Sequence, residues 1–221
     1  PPTSYQVQVS TDVNFGVDST SVTFLTTLST TTLSGNTTYY FRAAAYHIFG
    51  DKTAFNSSGS TMTNAAAPGY SGLNVSTGSL TVNLHENGNS AGTAYRLQIS
   101  SNDFSTGVDF SSAGVSGSNG LAPGLAIAGL PVNTSYQIRA NAVGNNNIAS
   151  SNTVIVSSTY TLANPPVSSS FTAVNASDLR INWSVNNNPS YTEFQVSRAT
   201  EIGFVQETAS SWILGSSLSI A

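Results

Sequence analysis

The sequence has no cysteine and few charged residues. The chain has 221 residues, and the absence of cysteine excludes disulfides, thiolate nucleophiles and cysteine-ligated metals. Charged residues make up 7% of the chain, against roughly 25% in an ordinary soluble domain. The formal net charge is −4 and the isoelectric point is about 4.8. These values argue against a nucleic-acid partner, which requires a basic face.

Long apolar runs are also missing. No run approaches the roughly 18 residues of a membrane-spanning helix, and no signal peptide begins at Pro1. We therefore expect no membrane span in this segment. Because Pro1 stands where an initiator methionine would be, we expect a processed chain or an excerpt from a longer one.

The residues that support catalysis or metal binding are scattered. His47 and His85 lack a partner at a motif spacing, and neither HExxH nor GxSxG occurs. Residues Asp12–Asp18 are echoed by Asn102–Asp109, but a calcium loop needs more converging oxygen ligands. The other interpretation is a hairpin loop capped by Asp and Asn side chains. We predict no catalytic residue, no metal site, no cofactor and no enzymatic activity.

What the sequence contains is alternation of period two, the pattern of β-strands. Tyr5, Val7 and Val9 alternate with glutamines, and Leu80, Val82 and Leu84 alternate with polar residues. No window of 11 residues keeps a helical period. The sequence therefore predicts an all-β fold.

Two segments recur along the chain. Leu33–Ala45, LSGNTTYYFRAAA, matches Leu130–Ala142, LPVNTSYQIRANA, at an offset of 133 − 36 = 97 residues. Residues 80, 82 and 84 recur at 179, 181 and 183, in DLRINW, at an offset of 99. Such spacing is typical of tandem small β-domains.

These segments resemble the fibronectin type III family. The Asn-Thr turn followed by a strand that opens with Tyr39 or Tyr136 resembles its E–F corner, and Trp183 resembles its inter-sheet tryptophan. The resemblance implies tandem immunoglobulin-like sandwiches of seven antiparallel strands in two sheets, as in bacterial or archaeal surface proteins. It implies a structural core at the following repeat positions: Tyr39, Leu84, Tyr95, Tyr136, Trp183 and Phe194.

Three units follow from the register. Residues 1–67 form a partial unit with C to G strands, 68–163 a complete unit, and 164–221 a partial unit with A to E strands. Four further segments are less regular. In the first unit, we predict a strand at Val22–Leu28 and the last strand at Ser57–Asn64. We predict an insertion in the second unit at Ser111–Gly124 and an E-like strand in the third at Ile213–Ile220.

Glycosylation and surface contacts have candidate residues. The sequons place candidate glycosylation at Asn36, Asn56, Asn74, Asn133, Asn175 and Asn182, although Asn36 and Asn133 also have a structural place in the corner turn. Four aromatic residues fall outside the repeat register: Tyr40, Tyr46, Phe49 and Trp212. They are candidates for a carbohydrate or protein contact, and we favour packing contacts.

We therefore expect a structural repeat segment of an extracellular surface protein, acting as spacer, stalk or filament building block. The expected partners are copies of itself or neighbouring repeats, head to tail, and cell-wall or extracellular polysaccharide. The alternative is an accessory linker or a carbohydrate- or protein-binding module of a larger secreted enzyme. The weakly charged surface, rich in Ser and Thr, favours an extracellular or cell-surface location.

Overall fold

The computed structural model confirms an all-β fold. It describes residues 3–56, 59–117, 122–172, 175, 180–205, 207–209 and 212–214. Every strand pairing in these ranges is antiparallel, and no helix occurs in them. The described residues therefore contain no helix that is long and apolar enough to cross a membrane.

The strands come in three groups. The first sheet consists of β1 (Ser4–Ser10), β2 (Ser19–Thr23), β3 (Thr38–Tyr46) and β4 (Gly59–Met62). The middle sandwich consists of β5 (Gly69–Val75), β6 (Ser79–His85), β7 (Ala94–Ser100), β8 (Phe110–Val115), β9 (Gly124–Ala128), β10 (Ser135–Val143) and β11 (Thr153–Tyr160). The last strand group consists of β12 (Val167–Thr172), β13 (Arg180–Ser184), β14 (Glu193–Phe194), β15 (Ser197–Ala199), β16 (Glu207–Ala209) and β17 (Ile213–Leu214).

The middle sandwich is a complete immunoglobulin-like unit. One sheet has the strand order β5-β6-β9, and the other has the order β8-β7-β10-β11. Alternate residues of β6, β7, β9 and β10 point into a shared core because side chains alternate across a strand. The core residues are Leu80, Val82, Leu84, Tyr95, Leu97, Ile99, Leu125, Ile127, Tyr136, Ile138, Ala140 and Ala142.

The first sheet has the order β2-β1-β3-β4, which matches the second sheet of the middle sandwich. Tyr5, Val7 and Val9 of β1 occupy the register of Tyr95, Leu97 and Ile99. The three residues of β7 are 0% exposed, whereas those of β1 are only half-buried. The difference arises because no sheet equivalent to β5-β6-β9 faces β1 in the described residues. Tyr39 of β3 is likewise half-buried.

The last strand group repeats the start of a sandwich. Strands β12 and β13 pair as β5 and β6 do. Phe194 is buried, and its ring lies 6.2 Å from that of Trp183. Trp183 itself is half-buried, and its Nε1 has no hydrogen-bond partner in the described part of the chain. Strand β17 pairs with β14, whereas its counterpart β9 pairs with β6.

Several predicted boundaries differ from the structure. Of Val22–Leu28, only residues 22 and 23 are strand, and they belong to β2, which pairs with β1. The segment Ser111–Gly124 contains strand β8 rather than only an insertion. The strand predicted at Ser57–Asn64 is β4, although residues 57 and 58 lie outside the described residues. Of Ile213–Ile220, only β17 is described.

The tyrosine corner differs between its two copies. The hydroxyl of Tyr39 accepts a hydrogen bond from the backbone N–H of Ser34 at 3.0 Å. The residue in register with Ser34 is Pro131, which has no N–H. Tyr136 therefore cannot form the same bond, and its contribution comes from burial at 2% exposure.

Two substitutions compare the buried position of Leu97 in β7 with the equivalent, half-buried position of Val7 in β1. Leu97→Ala is expected to destabilise the middle sandwich by about 2–5 kcal/mol, because it opens a cavity in a closed core. Val7→Ala, at the equivalent half-buried position, is expected to cost about 1 kcal/mol or less. Hydrogen exchange of the strand amides measures the loss of unfolding free energy in each variant. Equal losses would contradict the conclusion that no sheet covers the Val7 face of β1 in the described residues.

Candidate functional site at the two joints

The two histidines have local roles in turns. His47 Nδ1 accepts from the N–H of Phe49 at 3.4 Å. His85 Nδ1 accepts from the N–H of Asn87 at 3.1 Å, and its Nε2 lies 3.8 Å from a carboxylate oxygen of Glu86. Neither arrangement includes a nucleophile, so these contacts are those of turn-capping residues.

The carboxylates of the two echoed loops bind their own backbone. Asp12 accepts from the N–H groups of Asn14 and Gly16, both at 2.9 Å, and these bonds hold its pKa below the usual value. Asp109 accepts from the hydroxyl and the N–H of Ser101, both at 2.6 Å, which lowers its pKa as well. The described residues contain no group of three His, Asp or Glu side chains placed to hold a metal ion.

The two similar loops each contain a phenylalanine whose ring contacts an arginine. Phe15 and Phe104 both adopt a left-handed backbone, with φ of 55° and 57°. This conformation is costly for a bulky residue. It places each ring under an arginine guanidinium, with Arg42 4.0 Å from the Phe15 centroid and Arg139 3.9 Å from the Phe104 centroid. The echo therefore marks a repeated cation–π contact.

The first joint, defined as the contacts of residues 35–37 and 63–68 with residues 86–93 and 144–146, has Asn36 at its centre. Asn36 has a left-handed backbone, with φ of 52°, and is 2% exposed. Its side-chain Nδ2 donates to Thr93 Oγ1 at 2.8 Å, and its Oδ1 accepts from the N–H of Asn145 at 2.7 Å. One side chain thus binds two separate segments of the middle sandwich.

The backbone of Asn36 is also satisfied. Its N–H donates to the carbonyl oxygen of Asn64 at 3.2 Å, and its carbonyl oxygen accepts from the hydroxyl of Ser90 at 2.6 Å. A buried asparagine with all its polar groups bonded avoids the cost of unsatisfied burial. Burial of Asn36 therefore leaves none of these polar groups without a partner.

The second joint, the equivalent contacts of residues 131–134 and 161–166 with residues 185–192, repeats this arrangement at Asn133. Its φ is 46°, and its Nδ2 donates to Thr192 Oγ1 at 2.8 Å. Its N–H donates to the carbonyl oxygen of Leu162 at 3.2 Å. Its carbonyl oxygen accepts from the hydroxyl of Tyr191 at 2.7 Å. The Nδ2, N–H and carbonyl bonds of the corner asparagine therefore recur, with tyrosine in place of serine as the hydroxyl donor.

A second asparagine in each joint binds the connecting backbone as a strand would. Asn89 Oδ1 accepts from the N–H of Ala66 at 2.7 Å, and its Nδ2 donates to the Ala66 carbonyl at 2.8 Å. Asn188 makes the same pair of bonds to Asn164, at 2.8 and 2.7 Å. Only a primary amide offers a donor and an acceptor in this geometry. Asn89 and Asn188 each supply both groups from one amide.

A third asparagine in each joint adds a hydrogen bond to the connecting backbone. Asn87 Nδ2 donates to the carbonyl of Ala67 at 2.9 Å, and Asn186 Nδ2 donates to the carbonyl of Pro165 at 2.8 Å. Both have a φ of 50°. The connecting segments are thus bonded residue by residue to the next group of strands.

The two joints differ at the residue before the corner asparagine. Gly35 donates to the Gly88 carbonyl at 2.9 Å and accepts from the N–H of Ser90 at 3.1 Å. A Cβ on Gly35 would lie 2.5 Å from Asn89 Oδ1, so only glycine permits this approach. The second joint has Val132 at this position, and Pro189 replaces the donor Ser90. The first joint is therefore the more closely bonded of the two.

The candidate glycosylation residues divide by their surroundings. The amides of Asn36 and Asn133 are held in the joints. Asn182 is half-buried, and its Nδ2 donates to Thr172 Oγ1 at 3.0 Å. The exposed ones are Asn56, Asn74 and Asn175. Modification of either corner residue would require its joint to open.

Sequence reasoning missed the joint residues outside the corner. The available signal was Asn87-Gly88-Asn89 against Asn186-Asn187-Asn188, at the same offset of 186 − 87 = 99 residues as the surrounding strands. By itself, the Asn-Gly step of the first segment predicts only a turn. Its amides proved to bind the preceding connection.

Comparison with known proteins gives a fold likeness only. No family model matches the chain, and no curated protein matches it. Among solved structures, the chain is similar to the crystal structure of chicken CNTN1 FN1-FN3 domains, with 14% identity and a TM-score of 0.34. The match covers 73% of this chain and 57% of that one.

Two substitutions at Asn36 separate its two roles. Asn36→Gly keeps the left-handed backbone and removes two side-chain bonds, and is expected to cost about 2 kcal/mol. Asn36→Ala should cost about 1–2 kcal/mol more, because its Cβ disfavours this backbone. Native-state hydrogen exchange of the Gly35 amide, which donates to the Gly88 carbonyl across the joint, measures both losses. Equal exchange in the two variants would contradict a left-handed corner.

Proposed function

We propose that this chain is a structural repeat segment of an extracellular surface protein, acting as a spacer, stalk or filament building block. It is divided into three fibronectin type III-like units, residues 1–67, 68–163 and 164–221. The observation that supports this function is the recurrence of the same asparagine bonds at both joints.

The joints are built to limit movement between units. Relative motion is the default for neighbouring domains unless the contact between them is extensive. Here β4 ends at Met62 and β5 begins at Gly69, and the residues between them are bonded to the turn at Asn87–Asn89. A flexible Gly/Ser linker makes no such bonds. A spacer needs this stiffness, because its task is to hold a distance.

The surface supports an extracellular structural role. With 7% charged residues, the chain relies on Ser, Thr and Asn for its polar surface. Interactions between hydroxyl and amide groups do not depend on ionic strength as charged contacts do. Such a surface suits a stalk exposed to changing salt and pH. We propose no catalytic role.

The stiffness can be measured by pulsed electron paramagnetic resonance. Because the chain has no cysteine, Val22→Cys in β2 and Val115→Cys in β8, at positions 57% and 59% exposed, give a clean label pair across the first joint. A narrow distance distribution is expected. In the Asn36→Gly, Asn89→Gly background it should broaden, because the side-chain bonds across the joint are lost.

Asp103→Gly is the matched control. Asp103 is an exposed residue with a left-handed backbone, φ 57°, and it lies between β7 and β8, outside both joints. This control should leave the distribution narrow. A broad distribution in the parent chain would refute the stiff-spacer function.

A further inference from the structure

The turn of the first joint contains an asparagine followed by a glycine. The turn is closed by the N–H of Asn89, which donates to the Glu86 carbonyl at 3.1 Å. Between them, Asn87 and Gly88 both have a left-handed backbone, with φ of 50° and 77°. Asn87 is exposed, and a Cβ on Gly88 would meet no atom within 4 Å. The Asn87-Gly88 step is therefore accessible to water and uncrowded.

Such a step can react with itself, because asparagine is thermolabile and glycine has no Cβ to hinder its nitrogen. The Gly88 nitrogen attacks Cγ of Asn87, a C–N bond forms and the Cγ–Nδ2 bond breaks. Nδ2 takes up the proton of the Gly88 nitrogen and leaves as ammonia. Water then opens the resulting cyclic imide at either carbonyl, which gives aspartate or isoaspartate. Water is the only co-reactant.

The closed joint restrains both reacting groups. Asn87 Nδ2 donates to the Ala67 carbonyl at 2.9 Å, and the Gly88 carbonyl accepts from the N–H of Gly35, also at 2.9 Å. The attack requires the amide of Asn87 and the peptide of Gly88 to rotate towards each other, and these two bonds oppose that rotation. Because the bonds belong to the joint, the reaction rate follows the fraction of molecules in which the joint is open.

The second joint has the same bond but a different following residue. Asn186 Nδ2 donates to the Pro165 carbonyl at 2.8 Å, and the next residue is Asn187. A side chain on the attacking residue limits the rotation of its backbone, whereas glycine imposes no such limit. Asn186 is therefore a matched but less reactive asparagine. The sequence has a second Asn-Gly step, Asn119-Gly120, which lies outside the described residues.

We propose that Asn87 is a modification site, converted to aspartate or isoaspartate by the Gly88 nitrogen when the first joint opens, and that the product loosens this joint. Aspartate lacks the Nδ2 donor and places a negative oxygen against the Ala67 carbonyl. Isoaspartate adds a methylene to the backbone and so moves the Gly88 carbonyl away from the N–H of Gly35. The first joint thus loosens with age, and the second does not. This inference goes beyond the proposed spacer function.

Incubation of the folded 221-residue chain at mildly alkaline pH, followed by trypsin and mass spectrometry, tests the proposal. Trypsin releases fragments 53–96 and 181–198, which contain Asn87 and Asn186 and exclude Asn119. Conversion replaces an NH2 by an OH, so it raises the mass of a fragment by one unit, and sequencing of the fragment locates the change. We expect conversion at Asn87 and none at Asn186 over the same time, at a rate that rises with pH because the attacking nitrogen loses its proton.

Three variants separate the joint from the turn. Asn36→Gly removes side-chain bonds of the joint without altering the turn, and should speed conversion about tenfold. Gly88→Asn recreates the sequence of the second joint at an uncrowded left-handed position, and should slow it at least about tenfold. Asp103→Gly, outside both joints, should leave the rate unchanged. The full chain unfolded in guanidinium chloride gives the rate without a joint, and the folded parent should be slower by at least about tenfold.

Hydrogen exchange then measures the effect on the joint. In the converted chain the Gly35 amide should exchange faster, whereas the Asn133 amide, bonded to the Leu162 carbonyl in the second joint, should not. A folded rate equal to the unfolded one, an Asn36→Gly or Gly88→Asn rate equal to that of the parent, or unchanged Gly35 exchange after conversion would each overturn the proposal. Label distances in the fresh parent would remain narrow in all these cases, so this failure is distinct from that of the stiff spacer.

Discussion

The structure depends on an asparagine in a left-handed turn whose amide bonds a neighbouring group of strands. At Asn36 and Asn133 the backbone conformation turns the side chain away from its own strand. Asparagine tolerates this conformation better than other side chains and still has both a donor and an acceptor. Glycine would keep the turn without the bonds, and aspartate would lose the donor. One residue type therefore satisfies both requirements.

The same amide chemistry binds the connecting residues 63–68 and 161–166 to the group of strands that follows each of them. Each connection runs alongside the Asn-rich turn of the next unit, and the amides of Asn89 and Asn188 pair with it as a neighbouring strand would. In the described residues, these hydrogen bonds join one group of strands to the next. Because the surface has few charges, specificity at these contacts comes from amide geometry.

Much of the middle sandwich could be predicted from the sequence, because alternation fixes which residues of Leu80–Leu84 and Tyr136–Ala142 face inward. The joints could not, because a turn such as Asn87-Gly88-Asn89 has the same local signal whether or not it binds a neighbour. Half-burial of Tyr39 and Trp183 depends on which sheets face them. The corner bond that Tyr136 lacks was visible in Pro131, which offers no N–H.

The two joints also show how one bonding scheme is adjusted. Gly35 admits direct backbone bonds to Gly88 and Ser90, whereas Val132 and Pro189 remove them from the second joint. The side-chain donor bond of Asn36 recurs at Asn133, and the amide pair of Asn89 recurs at Asn188, while the number of backbone bonds falls.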